Sequence, residues 1–133
     1  SKFPFLLESK LRAKGANVIT GQTYLQQVSH DGNLITGQNP WSIWLTAETI
    51  VRQLGYEPVK RKVTATETSV AVLNYYHEVG YSGAKAKLLK LAFEQGRPVN
   101  KELITIHGIV ATMQFKLGQA LDVFRLLHQL RSL

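Results

Sequence analysis

A chain of 133 residues suits one ordinary domain and is long enough to bury a core. With 44% hydrophobic and 19% charged residues it reads as globular rather than disordered, and no apolar run approaches the ~20 residues that span a bilayer. The charge of +7 is spread, 8 Lys/Arg against 4 Asp/Glu in residues 1–66 and 8 against 5 in residues 67–133, which argues against a nucleic-acid binder with its cations on one face. The absence of cysteine excludes disulfides and thiolate metal sites and fits a cytoplasmic protein.

No charged stretch followed by an apolar one marks a signal peptide, and the start at Ser1-Lys2 without Met suggests a processed or cloned fragment. Residues 4–14 predict a helix: Pro4 suits the first turn, Leu7 and Leu11 repeat at i, i+4, and Gly15 can take the left-handed closing position. Val18-Ile19-Thr20 and Leu34-Ile35-Thr36 predict two short strands, with a weaker one over 24–29 leading to a turn at Asp31-Gly32. The second run has the apolar, β-branched character of a strand buried on both faces. Asn39 is a good N-cap, and Pro40 sits where its missing N–H costs nothing. Pro40 to Leu54 then predicts a helix closed by Gly55, with Trp44, Ala47, Val51 and Leu54 as a stripe against a sheet. Trp41 and Trp44 read as core or interface fillers. Residues 55–66, with the basic run Lys60-Arg61-Lys62, form the best linker.

The remainder predicts helices only. Thr64 and Glu67 have capping-box spacing ahead of Val70 to Val79, which Gly80 closes. Ser82 caps a second helix from Gly83 to Gln95, ended by Gly96 and Arg97-Pro98. Asn100 caps one long last helix. Along it Leu103, Ile106, Val110, Met113, Leu117, Ala120, Phe124 and Leu127 follow steps of three and four. Some thirty helical residues would run ~45 Å. Its apolar stripe is too wide for a two-stranded coiled coil and fits packing against several neighbours, with a second copy of the chain covering the rest. Gly108 and Gly118 weaken the helix by ~1 kcal/mol each relative to alanine and mark a close approach or a break.

No catalytic constellation is visible. His77-Glu78 opens like a zinc-protease signature, but Tyr81 stands where the second histidine is required. His30, His77, His107 and His128 lack metal-ligand spacing, and His107 reads as a satisfied core or interface histidine. There is no phosphate loop, no nucleophile elbow and no cofactor motif.

Asp31-Gly32-Asn33-Leu34-Ile35-Thr36-Gly37-Gln38-Asn39-Pro40, followed by Trp41-Ser42, resembles the last strand and final helix of the ThiJ/PfpI family, a branch of the class I glutamine-amidotransferase-like proteins. Pro4-Phe5-Leu6-Leu7-Glu8 through Gly15-Ala16 is similar to the helix that precedes them. The likeness covers about residues 3–58 and implies a family of cysteine-dependent proteases, glyoxalases and chaperones. Their nucleophile would lie upstream, and this chain has no cysteine to supply it. The resemblance also implies that Gly37, Gln38, Asn39 and Pro40 edge a pocket in an intact parent domain; otherwise Asn39 only caps the helix and Gln38 faces solvent.

The expected architecture is therefore α+β: residues 1–58 as a small remnant of an α/β sandwich with two or three strands, 59–66 as a basic linker, and 67–133 as a helical bundle. The preferred function is a non-catalytic C-terminal fragment of a ThiJ/PfpI-type protein. Its partner would be a second copy or the missing N-terminal part, with Trp41, Trp44, Leu103, Ile106, Val110, Met113, Leu117, Phe124 and Leu127 at the interface. A standalone helical interaction module and a basic nucleic-acid-binding domain are the alternatives.

Overall fold

The computed structural model describes residues 5–130. The architecture is α+β, with a small antiparallel strand pair ahead of a helical C-terminal region. In chain order the elements are α1 (Leu7–Ala13), β1 (Val28–Asp31), β2 (Leu34–Gly37), α2 (Ile43–Gln53), α3 (Ala65–Leu89), α4 (Lys101–Met113) and α5 (Leu117–Gln129).

Strands β1 and β2 form a hairpin, with Asp31 opposite Leu34 and Val28 opposite Gly37. The two-residue loop starts at Gly32, whose φ of 55° suits a glycine at the first central position. The strand pair is not the buried sheet that Leu34-Ile35-Thr36 suggests: Leu34 is 65% exposed. Nor is 18–20 a strand. Instead of a ladder partner, the Val18 carbonyl accepts from the Arg12 guanidinium at 2.7 Å.

A single 3-10 turn over Pro40–Ser42 leads into α2. Asn39 does not cap it through its side chain. The Asn39 amide donates to the Leu25 carbonyl at 2.6 Å and accepts from Ser42 Oγ at 3.2 Å. This ties the strand–helix corner to the buried Leu25. The stripe expected to lie on a sheet is displaced as well: α2 buries no residue fully, and Trp44 and Leu54 are exposed. Two strands provide too little sheet to cover a helix face.

Helix α3 begins with the predicted capping box. Thr64 Oγ1 accepts from the Glu67 N–H at 3.2 Å, and Glu67 Oε2 accepts from the Thr64 N–H at 2.9 Å. Thr64→Ala is expected to lower stability by about 1 kcal/mol and Tm by about 3–5 °C in a thermal melt, since the Glu67 N–H loses its acceptor while the backbone N–H of residue 64 keeps Glu67. Gly80, with φ 80° and ψ −172°, breaks the helical path where the sequence places the end of a helix. The second arm runs on through a wider π turn, Lys90–Glu94, to Gly96.

The predicted long last helix is two antiparallel helices. Between them lies Gln114-Phe115-Lys116, with Phe115 at φ 58°. The break falls ahead of Gly118, which sits inside α5. Gly108 marks a close approach: a Cβ there would lie 2.8 Å from the Phe124 ring, so α4 and α5 meet on that glycine. Asn100 caps α4, its Oδ1 accepting from the Leu103 N–H at 2.9 Å.

One core joins the two parts of the chain. Leu25 packs among Val70, Leu73, Leu88, Ile104 and Leu126, and Trp41 rests against it. Among the described residues no helix is long and apolar enough to cross a membrane.

Candidate functional site

The expected interface residues divide sharply on folding. Leu103 is a core residue at 5% exposure, not an interface residue, because the break after Met113 folds α5 back over it. Val110 and Leu127 are partly buried. Ile106, Met113, Leu117 and Phe124 stay open, between 38% and 74% exposed. Ile106, Ile109 and Met113 recur at helical spacing along α4, and Leu117, Leu121 and Phe124 do so along α5. At the tip of this hairpin Phe115 is 89% exposed. Among the described residues, each of the two helices thus carries a stripe of exposed apolar side chains, more than the scattered single residues usual on a monomer.

The two tryptophans have different fates. Trp41 meets Tyr24 edge to face at 5.3 Å and packs on the core. Trp44 lies under the Arg61 guanidinium, 4.0 Å from its ring centre. Arg61 in turn donates to Glu67 through both terminal nitrogens, at 2.8 and 2.6 Å, and to Glu48 at 2.8 Å. The Arg61 guanidinium, above all, holds the Glu67 carboxyl at about 2, with the Thr64 hydrogen bonds acting in the same direction against burial. The basic run of the linker therefore contains a clamp between α2 and α3.

The loop Gly37–Pro40 sits where a strand passes into a helix. Gly37 and Asn39 edge a shallow recess of about 290 Å³ with Ile43, Thr46, Ala47 and Ile50. Gln38 is exposed, as the alternative reading expects, and its Oε1 also accepts from the Gly21 N–H at 2.7 Å, fastening the preceding loop. A Cβ on Gly37 would lie 2.5 Å from Thr46 Oγ1, which explains a glycine at this corner.

Folding also builds a pair that spacing in the sequence does not reveal. His77 on α3 and His107 on α4 bring their Nε2 atoms to 3.1 Å, and the Gln119 amide lies 3.3 Å from the same His107 nitrogen. His107 is 4% exposed, and its Nδ1 is buried without a partner, unlike the satisfied core histidine expected. With its proton on Nε2 it donates to His77, does not accept from the Gln119 amide, and leaves Nδ1 as a bare lone pair, less costly than an orphaned N–H. Burial, then the facing His77 and Lys116, lowers the His107 pKa to about 4. Burial and Lys116 lower that of His77 in the same sense. Both rings are therefore neutral at pH 7. Among the described residues no hydroxyl is hydrogen-bonded to an imidazole, and no group of three histidine or acidic side chains converges as a metal site would. The pair joins α3 to α4, and Gln119 brings α5 against it. Only its separation of thirty positions hid it from sequence reasoning.

No family model, no curated protein and no solved structure matches this chain.

Proposed function

We propose that the chain is a non-catalytic association module in which two copies meet through the α4–α5 hairpin. The carrying observation is the uncovered apolar face of Ile106, Ile109 and Met113 on one helix and Leu117, Leu121 and Phe124 on the other. Opposing two such hairpins about a two-fold axis makes a four-helix arrangement, in which one self-complementary patch serves both copies. Charges stay at the rim, where Arg125 and Asp122 pair on α5. Light scattering across a concentration series is expected to give twice the 14.9 kDa chain mass. Met113→Glu with Leu121→Glu should return the protein to single-chain mass with its helical circular dichroism intact, because both positions are more than half exposed. A wild-type mass that stays at one chain throughout overturns the reading.

A second reading concerns residues 1–58 and is favoured by their surface. Helix α1 buries nothing, with Leu6 and Leu7 about 70% exposed. The outer side of the hairpin bounds a hollow of about 740 Å³ whose wall includes Ile19, Val28 and Leu34. With the Asp31-to-Pro40 motif, these open faces support a C-terminal piece of a ThiJ/PfpI-type protein whose missing N-terminal part would cover them. Any protease, glyoxalase or chaperone activity would then rest on a cysteine outside this chain. A cytoplasmic location belongs to the same proposal and draws on the absence of cysteine. Reading the coding sequence ahead of Ser1 tests it: a strand-to-helix elbow carrying cysteine is expected, and its absence ends the fragment reading.

A further inference from the structure

Cations that are scattered in the sequence gather on one side of α3. A recess of about 390 Å³ is lined by Arg52, Lys60, Arg61 and Arg97, together with the carboxylates of Glu48 and Glu67. A second, of about 520 Å³, is lined by Tyr75, Lys87, Lys90 and Leu91, and shares Arg97 with the first. Glu67, Ala71 and Tyr75 stand at i, i+4 and i+8 on α3, so the two recesses run end to end along one helix face. Both acids are committed to Arg61, with Glu48 also 3.7 Å from Arg52. Six cations against these two carboxylates leave an excess of four positive charges, carried by Lys60, Lys87, Lys90 and Arg97, along a continuous concave path.

An aromatic ring lies within that path. Lys87 Nζ sits 4.3 Å above the centre of Tyr75. Gly83 adjoins the ring as well: a Cβ there would lie 3.3 Å from Tyr75 Cε1. We propose that this groove binds single-stranded nucleic acid. Phosphates would follow Lys60, Arg97 and Lys90. One base would take the place of Lys87 over Tyr75 while the flexible ammonium swings to the adjoining phosphate. A cation row beside a stacking ring is the chemistry by which single strands are held without sequence readout. Duplex is disfavoured because reading it needs an element that projects into a groove, whereas this surface is concave. Ordinary acidic peptides would use the cations and leave the ring idle. None of the lining residues comes from α4 or α5, so dimerisation through the hairpin leaves the groove open and the two proposals fail independently.

Fluorescence anisotropy with a labelled oligothymidylate of about twelve nucleotides, titrated between about 50 and 200 mM salt, tests the inference. Wild type is expected to bind with log K falling against log salt at a slope of about −3, corresponding to four or five phosphates. Lys87→Ala with Lys90→Ala should weaken binding at least about tenfold and flatten the slope by about 1.4. Tyr75→Leu should weaken it about fivefold or more at unchanged slope. Lys10→Ala with Lys14→Ala, within and just beyond α1, should change nothing. The inference is overturned if wild type gives no anisotropy change at low salt, if Tyr75→Leu folds and binds like wild type, or if a duplex of equal length binds more tightly. The two lysines are surface residues, so their double variant remains decisive if Tyr75→Leu fails to fold.

Discussion

Lowering the pH from 7 to 4.5 is expected to cost the fold about 2–3 kcal/mol, most of it through His107. The imidazole has a pKa of about 4 in the folded protein against 6.5 when unperturbed, with burial as the first cause. Its folded-state pKa is depressed, so the unfolded chain takes up the proton first. The contribution is complete above pH 6.5 and is lost as pH falls toward 4. His77, shifted in the same direction, adds to the loss within this window. Glu67 acts lower: its carboxyl, held at about 2 against an ordinary 4.5, gives stability that is lost only below pH 4.5. The two effects are thus separated on the pH axis. Urea unfolding at half-unit pH steps should show a decline already under way at pH 5.5. His107→Leu should flatten that decline while keeping the drop below pH 4.5. An unaltered slope in the variant would show that His107 is not the group that titrates.

How far the sequence could be read depended on whether the deciding contact was local. The Thr64–Glu67 box, the Asn100 cap, the break at Gly80 and the turn at Gly32 are each set by a few adjacent residues, and each stands where expected. The division of the last helix was not legible, because its turn contains neither glycine nor proline. Phe115 adopts the left-handed conformation that usually advertises a glycine. Two antiparallel helices with apolar stripes, joined by so short a turn, keep the three-and-four spacing of one helix. Steps of three and four report a face, not the continuity of its axis. The strand at 34–37 was legible but its cover was not, since β-branched residues mark a strand without saying how many neighbours it has. The sites depend on long-range pairing. Arg61 reads as part of a basic linker because Glu48 lies thirteen positions away, and the α3 groove draws Arg52 and Arg97 from opposite ends of the middle of the chain.

Arg61→Ala should destabilise the protein by about 2–3 kcal/mol, well beyond the usual worth of a surface ion pair. An isolated exposed pair gains little because water screens it and two long side chains must be immobilised. Arg61 differs in three respects. Its guanidinium makes a two-pronged contact with Glu67, reaches Glu48 on another helix and covers the Trp44 ring. The three charged side chains are only 18–28% exposed, so removing the cation leaves two carboxylates facing each other in partly desolvated surroundings. Arg61→Lys restores the charge but not the planar fork, and should recover only about half of the loss. The variants also carry a signature that simple loss of packing would not produce. Without Arg61 the Glu67 carboxyl should titrate closer to 4.5 than to 2, moving the acid limb of the stability curve upward in pH. Carboxyl chemical shifts of Glu67 followed by NMR across pH 1.5–6 would register that movement directly. A loss below about 0.5 kcal/mol with the Glu67 titration unmoved would reduce the clamp to an ordinary surface pair.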